Sequence, residues 1–358
     1  MQYSWNRDCK EFLGVHTCEI QRAEDYPSCE SCQFYDPYTK KILIIKLGAM
    51  GDVLRTTPLI EALRKKYGNP YIVWITKEES KELLKEKVDK VLIYNLDTIL
   101  RLQKEKFHIL ISLEIDVPGT ALANGVNAEE KFGYYLHEDG HPSTYNKEAD
   151  FYLERALSNH INRENRKTYQ EMMFEIVNLP YEKQEYEIKA KEILEFKKQH
   201  NIKDNETLIG INIGSALRWP AKRWHEEEII KFINNAKERI ILLAGPEEKE
   251  LQKNIKNKVK KEIILNNPEN TLEEFIAVLN ICDTIVTGDT LTLHLAIGLK
   301  KKVIALFFCT PPWEIGEYER VTKVVSPLFE KHFYMDNTPE ELTKSITAEE
   351  VQRFLKFV

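Results

Sequence analysis

No apolar run approaches the ~20 residues that a membrane-spanning helix requires, and the stretch from Met1 to Lys10 has none of the apolar core of a secretion signal. A cytoplasmic protein is expected, with any membrane attachment peripheral. One-sided charge is missing as well. The chain carries 51 Lys and Arg against 57 Asp and Glu, a net charge of -6 spread along its length, so no global field recommends nucleic acid or an anionic bilayer as partner. Low-complexity tracts and solenoid-length repeats are absent, and 42% hydrophobic with 30% charged residues excludes disorder as the general state. Cysteine is scarce except at one place: of six, four fall in the first 32 residues.

With 358 residues, about two domains are expected. From Lys41 onward, short β-branched runs alternate with amphipathic stretches. Lys41 to Leu47, Tyr71 to Thr76, Val88 to Tyr94 and Phe107 to Leu113 read as strands. The pattern restarts at Leu208 to Ile213, followed by Arg239 to Ala244, Glu262 to Leu265, Thr284 to Thr287 and Lys302 to Phe308. Strand and helix in alternation predict an α/β fold of two Rossmann-like, doubly wound units. The segment Leu179 to Glu187, with Pro180 and no clear periodicity, marks a linker. The last segment has two helix starts, at Thr338 before Pro339 and in a capping box from Thr347 to Glu350.

Doubly wound sheets bind ligands at the carboxyl ends of their strands, so a cleft between the two units is the expected working surface. Three loops there could carry chemistry. In the first, Lys46 to Val53, Gly48 and Gly51 permit close approach to the backbone, Met50 lies between them, and Asp52 stands at a helix start, where it can equally be a cap. The third glycine of a dinucleotide fingerprint is missing, which removes the main support for a nicotinamide or flavin enzyme. In the second, Gly214-Ser215 leads through Arg218, Trp219 and Pro220 to Lys222, Arg223 and Trp224. Such a cation cluster either binds an anion or is a solvated basic loop. In the third, Thr287 to Thr290 places Asp289 before a helix whose His294 sits among apolar residues, a position more typical of a core histidine.

Cys9, Cys18, Cys29 and Cys32 have the spacing C-x8-C-x10-C-x2-C. Four thiolates suffice for a structural zinc, and an iron–sulfur cluster uses the same ligand set. Unligated thiols on a short extension are the plain alternative.

In this order the three loops resemble glycosyltransferase family 9, the ADP-heptose:lipopolysaccharide heptosyltransferase family. The resemblance runs from about Lys41 to Pro327 and is most specific at Ile42 to Leu59, at Gly214-Ser215 with Ala221 to Trp224, and at Leu272 to Ala305. It implies a GT-B fold facing a cleft, inversion at the anomeric carbon, no divalent metal, and a nucleotide-diphosphate sugar, ADP-heptose in the family, held mainly by the second domain. The absence of any Asp-x-Asp motif agrees. By similarity Asp52 is the general base; Gly51, Gly214, Ser215, Lys222, Asp289 and Thr290 bind the donor, with Met50, Arg223 and His294 as further candidates. The family usually has glycine where this chain has Leu291, and glycine after the following strand where it has Phe308-Cys309-Thr310. An adenine pocket is expected near Asn266 to Leu272.

The expected organisation is a cysteine-rich extension over 1–40, an acceptor domain over 41–183, a nucleotide-sugar domain over 184–335, and C-terminal helices over 336–358 that return to the acceptor domain. The acceptor is a glycan or lipid-linked glycan, and no nucleic acid partner is expected. The competing readings are a nucleotide-sugar-binding or assembly protein without turnover, and a GT-B-like nucleotide-sugar epimerase.

Overall fold

The computed structural model describes residues 5–24, 28–215, 219–335 and 339–355. The chain forms two compact units: residues 1–49, 56–157 and 172–182 make the first, and residues 50–55, 158–171 and 183–358 the second.

Six strands build the first sheet: β1 Lys41–Ile45, β2 Tyr71–Thr76, β3 Lys90–Ile93, β4 Lys106–Ser112, β5 Asn127–Leu136 and β6 Pro142–Thr144, in the order β3-β2-β1-β4-β5-β6. All neighbours are parallel except the β5–β6 pair. The central strand β1 is KILII, buried from Ile42 onward, as expected of a parallel strand covered on both faces. Leu43, Ile45, Val73, Ile75 and Leu110 join one core on one side of it. The extension belongs to this unit. It is held by an antiparallel bridge between Cys9 and Pro37, by Lys10 Nζ on Asp89 Oδ1 at 3.3 Å and by Asn69 Nδ2 donating to Asp36 Oδ1 at 2.6 Å.

The second sheet contains β7 Leu208–Asn212, β8 Arg239–Leu243, β9 Ile264–Leu265, β10 Thr284–Gly288, β11 Lys302–Phe307 and β12 Val321–Val325, all parallel, in the order β12-β11-β10-β7-β8-β9. In each sheet the first strand is central and the chain runs outward first to one side, then to the other. The reversal creates a switch point between β1 and β4 in one unit and between β7 and β10 in the other, and ligand crevices open there.

Three departures from the sequence reading have physical causes. β5 was not expected because Glu129, Glu130 and Lys131 break any apolar alternation on an outer strand, and β12 is a short VTKVV. The units are not contiguous blocks, because Ser158–Glu171 packs within the second unit: Arg163 Nη1 pairs with Glu330 Oε2 at 2.7 Å, and the Arg166 guanidinium lies 4.5 Å from the Trp313 ring centre. The C-terminal helix packs in the core of the second unit, where the sequence reading has it returning to the first. Leu342, Ile346, Ala348 and Val351 enter the second core, Trp224 Nε1 donates to Ile346 O at 2.8 Å, and the Ala348 amide donates to Glu228 Oε2. Its helix Ala348–Phe354 starts at Thr347, whose hydroxyl accepts from the Glu350 amide at 3.3 Å. Thr338, expected as a helix start, lies outside the described residues, and the helix there is Glu340–Thr343.

Candidate functional site

The β7–β10 switch point is lined by residues from three neighbouring strand ends. Asn212, the last residue of β7, donates its Nδ2 to Gly214 O, Thr287 Oγ1 and Thr290 Oγ1 at 3.0 to 3.2 Å, tying the loop after β7 to the loop after β10. Ser215 follows; its Oγ is buried and has no hydrogen-bond partner among the described residues. A buried hydroxyl of that kind is costly unless something bonds to it. Thr290 precedes the helix Leu291–Gly298 in extended conformation but its side chain makes no cap bond, so the helix N-terminus keeps its affinity for negative charge.

Lys222 reaches this point from the short turn Pro220–Lys222. Its Nζ pairs with Asp289 Oδ2 at 2.7 Å, and Thr310 Oγ1, beyond β11, donates to the same oxygen at 2.7 Å. Burial alone would push the Asp289 carboxyl toward its neutral form. Lys222, His294 and Arg55 outweigh that penalty and hold it well below the usual carboxylate range. Gly288 is required for this geometry, since a Cβ there would stand 2.1 Å from the Lys222 carbonyl oxygen.

The helix Met50–Thr56 contributes Asp52 and Arg55 to the same unit. Arg55 donates to Asp52 Oδ1 through Nε at 3.0 Å and Nη2 at 2.8 Å, and its guanidinium lies 3.7 Å from the ring centre of the buried Tyr169. Burial opposes its charge, yet Asp52 and the acids around it raise its pKa above the ordinary value, so it is a permanent cation that fixes the Asp52 carboxylate in place. Gly51 faces His294: a Cβ at that position would stand 2.5 Å from His294 Cδ2. His294 is buried, and its desolvation, with Arg55 nearby, pulls its pKa down to about 4, so it is neutral at pH 7. Tyr186 Oη is 3.3 Å from His294 Nδ1, and burial pushes the Tyr186 phenol up. A phenol that donates to Nδ1 leaves the imidazole proton on Nε2, 4.0 Å from Asp289 Oδ1.

Asp52, Lys222, Asp289 and His294 are thus linked electrostatically within one unit. The other expected residues take different places. Gly51 serves helix packing against His294. Gly214 serves the approach of Glu248, whose Oε2 would be 2.9 Å from a Cβ there. Arg223 is turned to Glu248, Nη2 to Oε1 3.1 Å, while its Nε is buried without a partner among the described residues. Met50 and Leu291 are half-buried first residues of their helices. Arg218 lies outside the described residues. Near the expected adenine pocket, Asn266 is committed to structure: its Oδ1 accepts from the Ala244 amide at 2.8 Å and its Nδ2 donates to Ala244 O at 3.0 Å.

Sequence reasoning missed Arg55, Thr310, Tyr186 and Asn212. Arg55 had a signal, because an arginine three residues after an acid at a helix start can fold back onto it. It also missed Glu114, at the first unit's switch point, which accepts from the amides of Leu47 and Gly48 and lies 3.4 Å from Lys46 Nζ. Cys9, Cys18, Cys29 and Cys32 belong to the first unit and form no disulfide.

Two parallel, doubly wound sheets of this kind make the GT-B architecture of glycosyltransferases. A glycosyl transferase family 9 structure from Veillonella parvula matches over 90% of this chain and 98% of its own, with a TM-score of 0.72 and 20% identity. The ADP-heptose lps heptosyltransferase II of E. coli matches over 88% and 98%, with a TM-score of 0.64 and 16% identity. A lipopolysaccharide heptosyltransferase 1 of Campylobacter coli is 22% identical over 310 residues, 80% of this chain and 89% of that protein. Residues 97–341, well over half of the chain, match glycosyltransferase family 9 (heptosyltransferase), and the chain belongs to that family. It is a glycosyltransferase. Among the described residues, no helix is long and apolar enough to cross a membrane.

Proposed function

We propose that this protein transfers a heptose from ADP-heptose to a lipopolysaccharide-type acceptor, with inversion at the anomeric carbon and without a divalent metal. The names of its relatives support the donor and the acceptor class. The observation that carries the reading is the set gathered around the β7–β10 switch point: the Lys222 ammonium, the buried Ser215 hydroxyl with no partner among the described residues, and the uncapped helix N-terminus. Together they offer a diphosphate a positive charge, a hydroxyl and backbone donors.

In the reaction the Asp52 carboxylate takes the proton of an acceptor hydroxyl while that oxygen attacks the anomeric carbon from the face opposite the diphosphate. The bond from the anomeric carbon to the diphosphate oxygen breaks, and the released ADP carries the extra negative charge. Lys222, Ser215 and the amides after Thr290 stabilise that charge, doing what a metal does in other transferases. Asp289, held by Lys222 and Thr310, positions the donor sugar. The first unit receives the acceptor, at the cytoplasmic face of the membrane.

Calorimetric titration with ADP, UDP and GDP tests the donor. We expect ADP to bind selectively and Lys222→Ala to weaken it about 10- to 100-fold, the range of a charge-assisted bond. Equal affinity for the three nucleotides, or an unchanged affinity in the variant, overturns the assignment.

A further inference from the structure

The extension is ordered without a core. None of the described residues from 5 to 40 is buried, those of the helix Glu19–Glu24 included. Trp5, Leu13, Val15, Phe34 and Tyr35 remain exposed. A segment of this length that buries no apolar side chain lacks the usual means of offsetting its conformational entropy, and small segments in that position are stapled by disulfides or metal. Disulfides are not the staple, because all four thiols are free.

What the segment lines is a partly open pocket of about 410 Å³. Cys9, Cys18, Cys29 and Cys32 all line it, with Phe12 and Phe34 among its apolar walls. Thiols separated by up to 23 positions in sequence do not converge on one space by local structure alone. The space is too large for a bare ion, being more than ten times the ~30 Å³ share of a water molecule. The sulfurs are also too far apart for one. Zinc–sulfur bonds of about 2.3 Å set the ligand sulfurs of a tetrahedral site about 3.8 Å apart. No three of these sulfurs lie within 4.8 Å of one another; among the described residues the group that meets that condition is His137, Asp139 and His141. A [4Fe–4S] core gives each thiolate its own iron, and a [2Fe–2S] core divides them into two pairs, so either spreads its four ligands around a wider centre. The Gln21 amide donates to Cys18 Sγ at 3.4 Å, the kind of backbone hydrogen bond that tunes the sulfurs of such clusters.

We infer that Cys9, Cys18, Cys29 and Cys32 bind an iron–sulfur cluster rather than a single zinc, and that this cluster is the missing core of the extension. The site is independent of sugar transfer as derived above.

The test is metal and acid-labile sulfide analysis of the full chain purified without oxygen from iron-replete cells, beside a Cys29→Ser/Cys32→Ser variant. We expect iron and sulfide in equal amounts, about two or about four of each per chain, with a broad visible absorption band. In the variant we expect both to fall to background while ADP affinity stays within about twofold, reporting a folded second unit. One zinc or one iron without sulfide, no metal at all, or a variant that keeps its iron and sulfide while binding ADP overturns the inference. If the variant does not fold, the wild-type ratio of iron, zinc and sulfide decides by itself.

Discussion

The two switch points are built alike and filled differently. At β1–β4 the crevice is filled from within: Glu114 takes the amides of Leu47 and Gly48 and neutralises the Lys46 ammonium, so the donors that could face an anion are already occupied. At β7–β10 the acid is Asp289, which engages Lys222 and Thr310; among the described residues the Ser215 hydroxyl has no partner and the start of the next helix has no side-chain cap. Both lysines are paired with an acid, so the difference lies in the other donors: the same topology leaves them taken in one unit and, among the described residues, open in the other. A few side chains decide which, and the fold does not.

The sharpest way to separate the roles is Asp52→Asn. We expect the transfer rate to fall about 10³-fold, near the middle of the range for a lost general base, with ADP affinity within about twofold, checked by steady-state kinetics and calorimetry. An equal loss in both would assign Asp52 to holding its helix.

Next in size is a pH effect seated at the second crevice. His294 is held neutral with a pKa near 4 against 6.5 for a free histidine, so the unfolded chain takes up a proton before the folded one does. Its contribution is fully present above pH 6.5 and is lost as pH falls toward 4. The expected loss is about 3 kcal/mol, read from denaturant midpoints between pH 7 and 4.5. His294→Gln should flatten that part of the profile. Asp289 acts at lower pH: its depressed pKa contributes stability above the ordinary carboxylate range that is lost on further acidification.

Glu114→Gln probes the filled crevice. It keeps the shape and removes the charge, so we expect a loss of about 2 kcal/mol in stability and no change in ADP affinity. A change in affinity would break the contrast between the crevices. The smallest expected effect is that of a chelator such as EDTA on the transfer rate: none, on the proposed reading in which Lys222 supplies the charge a metal would.

Much of this was legible in the sequence wherever the signal was local. The buried strands around KILII and the loop after β10 announce themselves through β-branched runs and glycines, and the acid at the start of the Met50–Thr56 helix is visible in a seven-residue window. The site's partners were not. Thr310 meets Asp289 from 21 residues away, Tyr186 meets His294 from 108, and Glu114 meets Gly48 from 66. No periodicity connects such pairs; only the strand order brings them together. Gly51 was read as an opening for a ligand and Gly214 as a donor contact by resemblance; at both positions the absent Cβ also makes room for a side chain, that of His294 and that of Glu248. A missing side chain signals a close approach and does not say by what.

The assignment of residues 50–55 to the second unit bears on how such enzymes can be recombined. A chimera joined at the linker would pair one parent's His294 with another parent's Gly51 and Asp52, setting foreign helix surfaces against each other where a single methyl group has no room. If the second unit holds the donor as proposed, grafting a donor preference from one relative to another requires transplanting residues 50–55 and 158–171 together with everything from 183 onward, as one discontinuous cassette.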